Sequence, residues 1–81
     1  MKWTVGSEHD EIIFKKLSEV LKVLGFDLDN KWSGVGGSQE VTHWELTSNQ
    51  GKLIIEAETY VGLSVEGEPS LVERVKNEFQ K

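Results

Sequence analysis

The residues that could do chemistry in this chain are few, and their spacing limits what that chemistry is. There are two histidines, His9 and His43, and no cysteine. The absence of cysteine removes thiolate nucleophiles, disulfides and cysteine-based zinc or iron–sulfur sites together. His9 stands among Glu8, Asp10 and Glu11, where consecutive positions at a helix start fan outward instead of converging. A metal on a helix needs ligands at i and i+4, as in HExxH, and neither that motif nor two histidines so spaced occurs. The positive end of the helix dipole also disfavours a cation, so these acids read as dipole partners. His43 precedes Glu45 by two residues, which on a strand puts both side chains on one face. Such a pair can move a proton, but no nucleophile is fixed beside it, and it reads as an exposed His–Glu contact. The run containing Gly34, Gly36 and Gly37 has the composition of a phosphate-binding loop without its spacing. The third glycine of a dinucleotide fingerprint would fall on Gln39, a strand follows where a helix is needed, and there is no Walker lysine. A flexible hairpin loop is expected there. No catalytic residue, metal ligand or cofactor is assigned, and enzymatic activity is not expected.

Three tryptophans in 81 residues need placing. Trp44 falls on the inward parity of a strand and is expected in the core. Trp32 sits at a strand end beside the glycine run, and Trp3 on a strand too short for its parity to be read. Core packing is the expected role of all three. The alternative is a small-ligand pocket between sheet and helix, formed by Trp32, Gly34, Gly36, Gly37 and Trp44.

The elements that carry these residues follow from periodicity. Lys2–Val5 alternates with period 2 and is closed by Gly6, a short strand. Ser7 to Asp10 has capping-box spacing, with Asp in place of Glu. Ile13, Phe14, Leu17, Val20, Leu21 and Leu24 then share one arc at 3.6 residues per turn, and Gly25 stands at a C-cap position. This predicts an amphipathic helix of four to five turns. After Gly25 the period changes to 2. Phe26, Leu28, Asn30 and Trp32 predict one strand, and Thr42, Trp44 and Leu46 a second. Ser48–Gly51 reads as a turn, which makes its flanking strands a hairpin. Leu53, Ile55 and Ala57, then Val61, Leu63 and Val65, predict two further strands broken near Tyr60–Gly62. Pro69 suits a first helical turn, with Ser70 and Glu73 as an alternative capping box. Leu71, Val72, Val75 and Phe79 form the stripe of a C-terminal helix.

The predicted order is β-α-β-β-β-β-α over residues 1–81, a single α+β domain. The simplest arrangement is a two-layer sandwich, an antiparallel sheet with both helices on one face. This order resembles that of TATA-box-binding-protein repeats and helix-grip domains. The resemblance is one of topology alone, without a sequence motif, and implies nothing about function.

The net charge of −5 is unevenly placed. Residues 26–67 hold seven acids against two lysines, and the rest of the chain holds seven of each sign. The sheet is thus expected to carry all of the net charge. If Leu53, Ile55 and Ala57 face the helices, then Ile54, Glu56, Glu58 and Tyr60 face away, with His43 and Glu45 beside them. These six residues are the expected interaction face, suited to steer a basic protein partner. A charged, solvated sheet face that only maintains solubility is the simpler alternative. The acidic balance argues against nucleic acid and anionic membranes as partners. No basic leader with an apolar core and no long apolar run is present, so a soluble, cytoplasmic chain is expected, monomeric or weakly homo-oligomeric. The functional expectation is a small acidic binding module, a regulator or inhibitor of a basic partner. A homo-oligomer subunit and a small-ligand binder are the alternatives.

Overall fold

In the computed structural model, which describes Met1–Lys81, the elements are β1 (Lys2–Gly6), α1 (Glu11–Val23), β2 (Asp27–Gly36), β3 (Gln39–Ser48), β4 (Gly51–Glu58), β5 (Gly62–Gly67) and α2 (Pro69–Phe79). This is the α+β sandwich order read from the sequence. The sheet is antiparallel throughout, with strand order β1-β5-β4-β3-β2. β2 to β5 form a meander, and β1 closes onto β5. Both helices lie on one face and share one core. Leu17, Val20 and Leu21 of α1 and Leu71, Val72 and Val75 of α2 meet Leu53, Ile55, Leu63 and Val65 of the sheet. Full burial of such a side chain contributes about 1.5–3 kcal/mol. No helix is long and apolar enough to cross a membrane.

The helix ends explain where α1 starts and stops. Asp10, not Ser7, is the N-cap, and its carboxylate accepts from the backbone N–H of Ile12 and of Ile13. Ser7 is used one step earlier. Its hydroxyl accepts from His9 N–H and its carbonyl from Asp10 N–H, a local turn that delays the helix. The C-terminus behaves as the sequence suggests. Gly25 has φ 85°, and the bonds Phe26 N–H to Leu21 O and Gly25 N–H to Lys22 O make a Schellman motif. At α2, Pro69 occupies the first turn and Glu68 precedes it without a side-chain cap, so the Ser70–Glu73 capping box is not used.

Two features of β2 depart from expectation. The glycine run is strand, not loop: β2 continues to Gly36, and only Gly37 and Ser38 turn the chain into β3. Glycine weakens a strand without forbidding it, and Glu40 and Val41 of β3 supply partners for Val35 and Gly34. A bulge also lies between Leu28 and Asn30, inserting Asp29 into the register. One extra residue reverses which face every later side chain of the strand occupies. Leu28 therefore keeps the inward parity opposite Leu46, whereas Trp32 moves to the outer face opposite His43.

Candidate functional site

The strand register writes the uncovered face of the sheet as rows that cross it. One row runs Trp32, His43, Glu56, Ser64, Thr4 from β2 to β1. The next runs Asn30, Glu45, Ile54, Glu66, Lys2, and a third Gly34, Val41, Glu58, Gly62. Five of the six residues expected on the interaction face, His43, Glu45, Ile54, Glu56 and Glu58, thus share one face, and the helices lie on the other. Tyr60 belongs to the β4–β5 turn instead. Its φ of 69° takes it out of strand alternation, and its side chain is largely exposed.

The central row is organised around His43. Its ring stacks on Trp32 with centroids 5.1 Å apart and planes 17° from parallel. Its Nδ1 lies 3.1 Å from Glu56 Oε2 and its Nε2 3.6 Å from Glu45 Oε2. An ionised carboxylate only accepts, so Nδ1 carries the proton it donates to Glu56. Glu45 is also engaged from the other side by the Lys52 ammonium. The Lys52 hydrogen bond holds the Glu45 carboxyl below its ordinary range, and burial opposes this only in part. The same contact raises Lys52 above its ordinary value. The row therefore presents a flat aromatic pair with one carboxylate on each side of the imidazole.

Ser64, the next residue in that row, is 2% exposed on the otherwise open face. It stands between Glu56 and Thr4 in the register. Nothing in the sequence pattern marks it, because a lone serine within Gly62–Gly67 has no periodicity of its own. His9 makes only a local contact with Glu8, with Nε2 and Oε1 3.3 Å apart. No group of three or more His, Asp and Glu side chains converges to hold a metal ion.

The residues of the anticipated Trp32–Trp44 pocket are not brought together. Trp44 is on the helix side against Phe14, centroids 5.3 Å apart, while Trp32 lies on the opposite face. Gly34 and Gly36 stand in the edge strand and Gly37 in its turn. An apolar groove of ≈ 450 Å³ exists elsewhere, between α1 and the β2–β3 side of the sheet. Phe14, Leu21, Phe26, Leu28, Trp44 and Leu46 line it, and Lys15, Lys22, Glu19 and Asp27 contribute both signs of charge. It forms because the helices cover β4 and β5 and leave the inner side of β2 bare.

The fold and face together define a two-layer α+β sandwich with one uncovered, acidic sheet surface. No family model, no curated protein and no solved structure matches the chain.

Proposed function

We infer that the chain is a binding module whose uncovered sheet face docks a basic surface of a protein partner. The observation that carries this reading is the composition of that face. Glu45, Glu56, Glu58 and Glu66 stand there against Lys2 and Lys52, around an aromatic stack whose Trp32 ring is half exposed. Carboxylates steer a cationic surface toward the sheet. The Trp32 ring then supplies the flat, amphipathic contact on which interface affinity concentrates. Its polar neighbours are already hydrogen-bonded, so docking leaves few orphaned groups. The natural complement is a surface that presents Lys or Arg around an apolar or planar patch.

The test is affinity capture from the native host with wild type and the Glu45→Lys/Glu56→Lys/Glu58→Lys variant, both shown to be folded by circular dichroism. Wild type should retain a basic protein at low salt, release it at high salt, and lose it on charge reversal. Equal capture by both baits, or a captured protein that is indifferent to salt, would refute the reading.

A further inference from the structure

β2 closes the sheet with a free edge that suits pairing. It is ten residues long, contains no proline, and has β3 on one side only. The opposite edge, β1, has five residues and a bulge between Thr4 and Gly6, features that blunt an edge. In β2 the bulge lies near the start, and Asn30–Gly36 beyond it keeps a regular register with β3. Lys31 N–H donates to Asn30 Oδ1 at 2.9 Å, and the other backbone N–H and C=O groups of this run that point away from β3 are complementary to another strand, not to a helix or a sheet face. Trp32 is 49% exposed and Val35 72%, and they occupy opposite faces of the strand. A strand laid alongside would cover part of both.

Charge selects which strand. Between Asn30 and Gly36 the only charged residue is Lys31, which extends over the Trp44 ring and forms no ion pair. Glu40, opposite Val35 on that same inner face, has no ion-pair partner either. We propose that β2 pairs antiparallel with β2 of a second copy, about a two-fold axis at Ser33, to give a continuous ten-stranded sheet. In this register Lys31 lies opposite Val35 of the partner subunit, and Glu40 of the partner subunit is next in the row. Two symmetric Lys31–Glu40 ion pairs then span the axis. Trp32 lies opposite Gly34 of the partner subunit, where no side chain obstructs its ring. An axis at Lys31 would set two ammonium groups against each other, and an axis at Trp32 would set indole on indole. Residues directly opposite in a sheet share a face, so the two acidic faces join on one side of the dimer.

The absence of native cysteine makes the register testable. Directly opposed residues have Cα atoms about 4.5–5.5 Å apart, inside the disulfide range of about 4.4–6.8 Å. The two Lys31 positions would be roughly 14 Å apart along the strands. In sedimentation equilibrium the mass of wild type should rise with concentration from 9.1 kDa toward twice that value. Lys31→Glu and Glu40→Lys should each remain monomeric, and the double exchange should restore the dimer. Ser33→Cys should oxidise to a linked dimer while Lys31→Cys does not. A wild-type mass fixed at the monomer value, cross-linking of Lys31→Cys as fast as Ser33→Cys, or no rescue by the exchange would overturn the proposal. The Glu45→Lys/Glu56→Lys/Glu58→Lys variant leaves this edge intact and should dimerise like wild type, which separates failure here from failure of the docking face.

Discussion

The two sides of the sheet's length are built differently. β4 and β5 lie under both helices, and Leu53 and Val65 there have no exposed surface. β2 has no buried residue at all, and β3 is only half-buried. Apolar area removed from water is therefore concentrated in the β1-β5-β4 half together with the helices. The β2–β3 hairpin is held by its own ladder, by the β3–β4 ladder and by Trp44 and Leu46 packed against the core, while β2 itself is paired on one side only. One half holds the buried core, while the other projects surface that the rest of the chain leaves uncovered. The Trp32–His43 stack, the apolar groove and the free edge lie on or border the projecting half, and the carboxylates run from Glu45 on β3 across Glu56 and Glu58 on β4 to Glu66 on β5.

The largest effect that tests this contrast is truncation on each side. Leu53→Ala should cost about 2–5 kcal/mol by urea denaturation, as expected for a fully enclosed leucine. Leu28→Ala in β2 should stay within about 0.5 kcal/mol, as for a largely exposed site. Equal costs would break the contrast. A smaller effect is expected at the β4–β5 turn, where Gly62 has φ 110°. A Cβ placed there would stand 2.5 Å from the Gly6 carbonyl oxygen, a backbone atom that cannot rotate away. Gly62→Ala should destabilise by about 1–3 kcal/mol, and an unchanged midpoint would mean that the turn adjusts freely.

The smallest effect is electrostatic and joins the two halves, Glu45 on β3 to Lys52 on β4. Glu45 is held below its ordinary 4.5, so its contribution is present above that pH and is lost as pH falls through the lower folded value. Lys52 is raised above 10.5, so its contribution is present below that pH and is lost as pH rises through the higher folded value. A Glu45→Gln/Lys52→Met double-mutant cycle should therefore show weak coupling across neutral pH that vanishes at both extremes. Coupling that does not change with pH would assign the contact to packing instead. Added salt should reduce it as well, because the pair is open to water.

The same contrast decides what the sequence made legible. α1 could be read because Ile13, Leu17, Val20, Leu21 and Leu24 must share a buried face and Gly25 must end it. β4 and β5 could be read because Leu53, Ile55, Leu63 and Val65 alternate in and out of one core. Burial enforces periodicity, and β2 has none to enforce. The Asp29 bulge leaves no mark in composition, yet it moves Trp32 from the inner face to the outer. The glycines at 34 and 36 resemble a loop because a strand there depends only on the partner that β3 provides. The outer-face positions of His43, Glu45, Ile54, Glu56 and Glu58 followed from parity on well-packed strands. Their alignment with Trp32 did not, because it depends on inter-strand register. The groove was hidden for a related reason: it depends on where α1 lies across the sheet, which no local pattern encodes.

Whether the uncovered face recognises cationic protein surface is answered by chemical-shift mapping. The ¹⁵N-labelled protein would be titrated with a lysine-rich peptide at low and high salt. Salt-sensitive shifts are expected at the amides of Val41–Glu45 and Ile54–Glu58 and at the Trp32 indole N–H, with α1 and α2 unmoved. Shifts centred on the helices, or none on this face at low salt, would contradict that recognition.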